Sequence, residues 1–272
     1  MFKKLESEVI LTYKLRTKSP LFIASGNDNS LDPSATDEKY IEVFRNGKLE
    51  PYIPGTSLKG VFRSRAERIL KSANEGSCDI VARDECVPEK SVKLKDGKLQ
   101  DGKERYERSC PVCRLFGSKV LRSRVTVSDL YVTGNYKVGE RTCVGIDRVT
   151  GAAKKGALYN MQYIEDTEFQ GKMTLQNFES YQLRLLLELF RDMNEGFITL
   201  GGLTSKGFGQ VEAYDFKINI RYYGRKEKLE GYANELYYQG KTVEGFDEIY
   251  KLVKDVDIHK VKRGDEVDEQ TI

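Results

Sequence analysis

Four cysteines form two groups within a polar, lysine-rich part of the chain at about residues 76–117. Seven residues separate Cys78 from Cys86, and Cys110 and Cys113 form a Cys-x-x-Cys pair within "RSCPVCRLFGS". A segment of this composition has little apolar surface to bury, so another interaction must hold it together. Four thiolates suit tetrahedral zinc, and metal binding would contribute free energy of folding. The cysteines therefore predict one structural zinc site, whose first spacing is wider than usual.

The residues alone leave other roles open for these cysteines. A thioredoxin-like redox pair lies where a strand runs into a helix, whereas "CPVCRLFGS" is followed by a basic loop and a strand. Disulfides are disfavoured in the cytoplasm, which is the expected compartment because the first residues lack the apolar region of a signal peptide. Free thiols are the remaining alternative. Cys143 is expected to be an ordinary small residue, and His259, the one histidine, a solvated side chain.

Three aspartates lie in "ASGNDNSLDPSATDE", residues 24–38, where turn-forming residues predict an exposed loop. They are Asp28, Asp32 and Asp37. Because no histidine is well placed, a carboxylate that holds a metal or takes a proton is the group best suited to catalysis. Magnesium prefers carboxylate oxygen and retains several waters, so one protein carboxylate can suffice. The alternative is that these aspartates only stabilise turns.

A glycine-rich stretch, "GGLTSKGFGQ" at residues 201–210, lies between two predicted strands. Glycine permits positive φ and close approach to a ligand, and exposed amides beside Lys206 can hold a phosphate. The stretch lacks the ending of a Walker loop, and no helix follows as in a dinucleotide fingerprint. A tight connection between strands is the alternative. Lys59 and Arg63, on one face of a predicted helix, are further candidate phosphate contacts unless that face is simply solvated.

The first part of the chain predicts a strand, a loop and a helix. Residues 8–16, "EVILTYKLR", alternate between two faces as a half-buried strand does. The helix is expected to begin after the Pro-Gly break in "YIPGTSLKG", with Thr56 or Ser57 as its N-cap.

The second part of the chain repeats the order of strand, helix and strand. The strand "EFQGKMTL" precedes a helix over residues 177–196, for which Asn177 is the expected N-cap, and residues 197–200 are expected to form a strand. Two such units predict an α+β, ferredoxin-like (RRM-like) fold. It has one antiparallel sheet with both helices on one face.

This fold divides the 272 residues into one domain over residues 1–221 and a charged extension over residues 222–272. Insertions are predicted at about residues 76–117, which hold the cysteines, and at about residues 134–165, a basic β-hairpin arm. The net charge of +3 does not by itself indicate nucleic acid as a partner. No run of 18 apolar residues occurs, so no membrane partner is expected.

Three motifs in order, "IPGTSLKGVFRS", "CPVCRLFGS" and "GGLTSKGFGQ", resemble those of the RAMP superfamily. Within it they resemble the backbone subunits of type III CRISPR–Cas effector complexes, over roughly residues 8–221. The first motif is similar to Ile-Pro-Gly-Ser-Ser-Leu-Lys-Gly, with Thr56 in place of the first serine. The third is similar to Gly-Gly-x-x-Ser-Arg-Gly-x-Gly, with Lys206 in place of the arginine. Lysine keeps the charge but loses the bidentate grip on phosphate.

The resemblance implies an RRM-like palm that stacks with copies or paralogues of itself along a guide RNA, within a ribonucleoprotein complex of antiviral defence. A thumb hairpin, here the arm at residues 134–165, pushes between guide and target RNA. Members that cleave target RNA use a loop aspartate and a divalent metal, which indicates Asp37, with Asp32 and Asp28 as alternatives. The expected RNA contacts are Thr56, Ser57, Lys59, Arg63, Arg141, Arg148, Gly201, Gly202, Ser205, Lys206 and Gly207.

The leading prediction is therefore a guide-RNA-binding subunit that also cleaves target RNA, with structural zinc and catalytic magnesium. A non-catalytic RNA-binding scaffold of the same complex is the first alternative. A guide-processing endoribonuclease of the superfamily often uses histidine, and the single histidine in the tail argues against that activity. A zinc-stabilised protein-interaction module is the third alternative, and it would purify without RNA.

Overall fold

The computed structural model describes residues 4–24, 39–72, 77–78, 86–87 and 101–259. The strands of this part are β1 (Ser7–Thr17), β2 (Glu42–Arg45), β3 (Lys48–Ile53), β4 (Val125–Val127), β5 (Leu130–Val132), β6 (Lys137–Ile146), β7 (Ala153–Glu165), β8 (Glu168–Gln176), β9 (Val211–Tyr223), β10 (Ala233–Asn234) and β11 (Tyr238–Glu244). The helices are α1 (Gly55–Ser72), α2 (Gly102–Glu107), α3 (Pro111–Phe116), α4 (Ser180–Asn194) and α5 (Phe246–Lys251). Among these helices, none combines the length and the apolar character needed to cross a membrane.

Nine of the strands form one sheet in the order β10-β11-β9-β1-β8-β5-β3-β2, and β4 also pairs with β8. The pairs along this sheet are antiparallel, so the fold is α+β with an antiparallel sheet. β1 is central, and its Leu11 lies opposite Met173 of β8 and Ile218 of β9. α1 lies between β3 and β4 in the chain, and α4 connects β8 to β9.

The core lies between one face of this sheet and helices α1 and α4. β1 buries every second residue, as its alternation predicts, and Tyr13 is among the buried ones. Phe190 of α4 lies 4.7 Å from the ring of Tyr13 and 5.0 Å from that of Phe62 in α1, measured between ring centres. Aromatic side chains therefore join both helices to the central strand, and each contributes about 1.5–3 kcal/mol by its burial.

β6 and β7 form a separate two-stranded antiparallel sheet, the arm, within the stretch where a hairpin is predicted. Its base is joined to the segment after β1, because Leu21 and Ile164 exchange backbone hydrogen bonds of 2.7 and 2.9 Å. Beyond its base, the arm has an exposed face that includes the apolar side chains of Val144 and Leu158. The arm thus projects from the main sheet.

Both predicted helix caps are wrong by two or three residues. α1 begins at Gly55, whose N–H donates to the Asp129 carboxylate at 2.8 Å, so Thr56 and Ser57 lie inside its first turn. α4 begins after Glu179, whose N–H donates to the side chain of Gln182. These caps depend on tertiary contacts or on a less common capping residue, which local propensity does not reveal.

Asn177, the residue expected to cap α4, instead joins the chain before β1 to the end of β8. Its side-chain oxygen accepts from the N–H groups of Glu6 and Ser7 at 2.8 and 3.3 Å, and its amide donates to the Lys4 carbonyl. Its φ of 49° places it in the left-handed region, which asparagine tolerates better than most residues. Asn177 is therefore a tertiary link.

Residues 197–200 do not form the predicted strand. The two edges of β1 are already occupied by β8 and β9, so no place beside it remains for another strand. Leu200 instead closes the glycine-rich loop, because its N–H donates to the carbonyl of Gly209 at 2.9 Å.

The charged extension is partly integrated into the fold. β11 pairs with β9, α5 packs against β9 and β11, and α5 also contacts α4. The contact to α4 includes Tyr250, whose hydroxyl donates to Glu188 at 2.7 Å, and Arg184, whose guanidinium lies 4.2 Å from the Tyr250 ring centre. Residues 260–272 lie outside the described residues.

Candidate metal centre and nucleic-acid interface

The four predicted ligands meet at one buried point. The sulfurs of Cys78, Cys86, Cys110 and Cys113 all lie within 4.8 Å of one another. Cys78 Sγ is 3.4 Å from Cys113 Sγ and 3.9 Å from Cys110 Sγ. Metal–sulfur bonds of about 2.3 Å in a tetrahedron require sulfur–sulfur distances of about 3.8 Å. Four free thiols at these distances therefore fit a mononuclear zinc site.

Local structure explains how the Cys-x-x-Cys pair reaches the centre. Cys110 immediately precedes α3, which starts at Pro111, a residue favoured at the first helical position. The N–H of Cys110 donates to Cys86 Sγ at 3.3 Å, and Cys113 lies one turn into the helix. The sulfurs of Cys110 and Cys113 therefore face the same point.

Crowding of the thiols changes their protonation. Hydrogen bonds from Cys113 and its neighbours lower the pKa of Cys110, because they stabilise its thiolate. The hydrogen bond to Cys110 raises the pKa of Cys113, which supplies that proton. A bound divalent cation would stabilise all four thiolates together, so that no sulfur would need to keep its proton.

The cysteine segment is not the coreless stretch that its composition predicts. Val112, Leu115 and Phe116 of α3 are buried in the main apolar cluster. Averaged composition hides this short apolar run. The fold and the metal centre therefore stabilise α3 together.

Arg63 of α1 reaches the metal centre. Its Nη2 lies 3.5 Å from Cys113 Sγ, and its Nη1 donates to the carbonyl of Gly117 at 2.9 Å. Its Nε donates to Glu67 one turn along the helix, also at 2.9 Å. All three nitrogens of this predicted RNA contact thus lie within hydrogen-bonding distance of the protein itself.

Lys59, one turn before Arg63, is half-buried. Its ammonium donates to Ser123 Oγ at 2.9 Å and approaches the Val125 carbonyl at 3.4 Å. Burial, followed by repulsion from Arg63, lowers the pKa of Lys59. The two acceptors, the Ser123 hydroxyl and the Val125 carbonyl, are both uncharged.

An open pocket of about 390 Å³ lies beside Arg63 and Ser123. Its walls come from α1, from the end of α3 and from the turn that follows. The residues that line it are Arg63, Phe116, Gly117, Ser118, Lys119, Leu121, Arg122 and Ser123. Three basic side chains around one opening favour an anionic ligand.

The glycine-rich loop is held against the segment after β1. Gly202 N–H donates to the Phe22 carbonyl and Gly209 N–H to the Pro20 carbonyl, both at 2.8 Å. A Cβ on Gly201 would lie 2.1 Å from the Phe22 oxygen, at a φ of +79°. Only glycine fits that position.

The outer part of the loop is exposed. A short 3₁₀ turn covers Thr204–Lys206, and Ser205, Lys206 and Gly207 face solvent. Gly201 and Gly202 are also exposed. The N–H groups of Gly202 and Gly207 already donate to the carbonyls of Phe22 and Thr204, so a hydroxyl and an ammonium are what this turn presents to a phosphate.

The loop touches the arm through a small apolar cluster. Phe22, Met161 and Phe208 are buried together, and Tyr163 packs against them. The guanidinium of Arg141, on β6, lies over the ring of Phe208 at 4.8 Å. The glycine-rich loop, the arm and the segment after β1 therefore form one surface.

The tip of the arm, residues 147–152, is a compact turn. Asp147 accepts hydrogen bonds of 2.9 Å from the N–H groups of Val149 and Thr150, and these bonds lower its pKa. Arg148 is exposed, and Val149 is 94% exposed. A cation and an apolar side chain thus project at the tip.

The three candidate catalytic residues, Asp28, Asp32 and Asp37, lie outside the described residues. The ends of their loop are described, and they meet at an antiparallel bridge between Ala24 and Tyr40. Ala24 follows the segment that holds the arm and the glycine-rich loop. The loop therefore leaves and re-enters the fold next to both.

Two residues at this interface have no signal in the sequence. Ser123 holds Lys59, and Asp129 caps the helix that carries it. Serine and aspartate are common between strands, and neither lies in a recognisable motif. Only the pairing of β4 and β5 with β8 brings them to α1.

Comparison with protein-family models identifies a family for this chain. The model of the family described as the RAMP superfamily matches residues 14–212, which is more than half of the chain. No curated protein matches the chain.

Proposed function

The chain belongs to the RAMP superfamily, and we propose that it is a guide-RNA-binding backbone subunit of a type III CRISPR–Cas effector complex that cleaves paired target RNA. Membership supports a CRISPR-associated role in RNA binding, and the subunit type and the cleavage are our proposal. One observation carries it. The glycine-rich loop, the arm and both ends of the aspartate loop, the stretch at residues 24–38 that holds the three candidate aspartates, converge on residues 20–24.

The palm in this proposal is a ferredoxin-like domain. The order β9-β1-β8-β5 at the centre of the sheet supports it, because two strand–helix–strand units give this antiparallel order. The arm and the cysteine segment are then insertions, at about residues 134–165 and 76–117. β11 extends the palm beyond β9.

Guide RNA lies, in this proposal, along the glycine-rich loop and the start of α1. Exposed Ser205 and Lys206 contact phosphates, and the absence of side chains at Gly201, Gly202 and Gly207 lets the RNA backbone approach the loop closely. Such contacts position an RNA without reading its bases.

On α1, exposed Thr56 and half-buried Ser57 and Lys59 continue this line of contacts. Arg63 has a supporting part, because its nitrogens already contact Cys113, Gly117 and Glu67. Its charge still contributes to the potential that attracts RNA.

The arm acts as the thumb. Arg141 and Arg148 provide charge along it, and exposed Val149 at the tip suits insertion between bases. Apolar side chains that enter a base step unstack it at a cost of a few kcal/mol, which further contacts must offset.

Cleavage is assigned to the aspartate loop, with Asp37 as the first candidate and Asp32 and Asp28 as alternatives. The carboxylate takes the proton of the target 2′-hydroxyl or orients that group beside the phosphate. Three carboxylates in one loop are a donor set that suits magnesium, which when bound would stabilise negative charge on the phosphate.

Zinc is assigned to Cys78, Cys86, Cys110 and Cys113 as a structural ion. The mutual distances of their sulfurs support this assignment. Bound there, zinc would join residues 77–78 and 86–87 to α3 and thus to the core.

The test is purification of the chain from its native host, followed by sequencing of the RNA that accompanies it. Recovery of RNAs that share repeat-derived ends and differ in their central sequence is expected. Fully folded protein without RNA would contradict RNA binding and favour a protein-interaction module. RNA recovery without magnesium-dependent cleavage of a complementary target by the complex would favour the scaffold.

A further inference from the structure

A chain of short contacts connects the cysteine centre to Lys59. The Lys59 ammonium donates to Ser123 Oγ at 2.9 Å, and this oxygen lies 3.0 Å from the carbonyl of Leu115 and 2.7 Å from that of Val125. Leu115 belongs to α3, two residues after the ligand Cys113. The backbone N–H of Arg124 also donates to the Leu115 carbonyl, at 3.0 Å. Ser123 is therefore fixed to the helix that carries half of the metal centre.

Arg63 provides a second connection between the same parts. It reaches Cys113 Sγ at 3.5 Å and the carbonyl of Gly117 at 2.9 Å, immediately after α3. It lies one turn from Lys59 on α1, so the same helix carries the side chain that contacts Cys113 and the side chain that contacts Ser123.

We propose that the metal-bound cysteine centre positions Lys59 for RNA, with Ser123 as the positioning residue between them. The inference rests on the proposed contact of Lys59 with RNA. A half-buried ammonium needs hydrogen-bond acceptors to remain in one place, and the acceptor nearest to Lys59 is held by α3. Without the metal, α3 loses two of its anchors, and the ammonium loses its fixed position.

This coupling differs from general stabilisation of the fold. Leu58, Phe62 and Ala66 bury one face of α1, and the ring of Phe62 packs against Phe190 of α4. Loss of the metal is therefore expected to leave α1 folded while it releases Lys59. RNA affinity should therefore fall in a metal-free chain that is still folded.

The experiment measures the affinity of purified chain for a fluorescent single-stranded RNA. Ser123→Ala removes the positioning hydroxyl. Ser72→Ala is its control, because the Ser72 hydroxyl donates to the Arg68 carbonyl within the same helix. Loss of one hydrogen-bonded position should reduce affinity about threefold to tenfold. Zinc content should stay unchanged in Ser123→Ala, and Ser123→Thr should restore affinity.

The decisive measurement is RNA affinity after Ser123→Ala, and after metal removal, in a chain that already carries Lys59→Ala. There, neither Ser123→Ala nor metal removal by a chelator should lower affinity further, because the residue that they position is absent. Additive losses, or a metal-free folded chain that binds RNA as tightly as the metal-bound chain, would overturn the coupling. If Ser123→Ala does not fold, the comparison of metal-bound and metal-free protein in the two Lys59 backgrounds decides. Absence of RNA affinity in the unmodified chain would instead contradict the proposed function.

Discussion

The guanidinium carbon of Arg141 lies 4.8 Å from the centre of the Phe208 ring and 5.7 Å from that of Tyr163. Arg141 and Tyr163 belong to the two strands of the arm, and Phe208 belongs to the glycine-rich loop. One cation contacts both rings, which also lie 5.4 Å from each other, and these contacts tie the arm to the loop. The direction in which the arm projects is therefore set by the loop.

Phe208→Ala should lower the free energy of unfolding by about 3–5 kcal/mol, because it empties a site that is 2% exposed. It should also loosen the arm. Phe197→Ala is the control, since that ring is 58% exposed and its loss should cost less than about 1 kcal/mol. Denaturant unfolding measures both, and equal losses would show that Phe208 does not anchor the loop.

Gly201→Ala and Gly207→Ala separate close packing from backbone strain. Both glycines have positive φ, but a Cβ on Gly201 would lie 2.1 Å from the Phe22 oxygen, whereas Gly207 has open space. Gly207→Ala should therefore cost about 1 kcal/mol, and Gly201→Ala clearly more. A similar loss of unfolding free energy in both variants would mean that the segment after β1 moves away.

Helices and strands of this chain follow from the sequence more readily than the junctions between them. β1 follows from alternation, and the cysteines from their chemistry, because each signal is local. The prediction of a strand at residues 197–200 was wrong, because β8 and β9 already pair with both edges of β1. The roles of Asn177 and Ser123 depend on which chain segments become neighbours in space, and no local pattern encodes that.

Purified protein should contain about one zinc ion per chain, because four-thiolate sites are normally closed and mononuclear. Cys78→Ser should lower both the zinc content and the melting temperature. Cys143→Ser is the control, since that thiol is half-buried and lies outside the cluster. Elemental analysis gives the stoichiometry. Folded protein with less than a few tenths of an equivalent of zinc would contradict the assignment.

A chain that carries both Lys59→Ala and Lys206→Ala should fold normally but retain less RNA. Two lost phosphate contacts should reduce the slope of log affinity against log salt by about 1.4, at about 0.7 per contact in single strands. Lys217→Ala with Lys251→Ala is the control, because it removes the same charge from residues paired with Glu244 and Glu248. An unchanged slope would mean that Lys59 and Lys206 contact no phosphate.

The two lysines should also differ in pH dependence. The pKa of Lys59 is lowered by burial, so its positive charge is lost as pH rises through a value below that of an exposed lysine. In a Lys206→Ala chain, affinity should therefore decline at a lower alkaline pH than in a Lys59→Ala chain. Binding titrations across the alkaline range measure this, and coincident profiles would argue against a contribution of Lys59.

Asp37→Ala in the assembled complex should abolish magnesium-dependent cleavage of target RNA and leave target binding intact. Its loop joins the fold at the Ala24–Tyr40 bridge, next to the arm that is proposed to separate guide from target. Loss of a carboxylate that takes a proton or holds a cation should reduce the rate by at least about 100-fold. Asp37→Asn is the companion variant, because it keeps the shape and removes the charge. Full cleavage by both variants would move the assignment to Asp32 or Asp28, and full cleavage by a chain without all three aspartates would leave the scaffold as the better account.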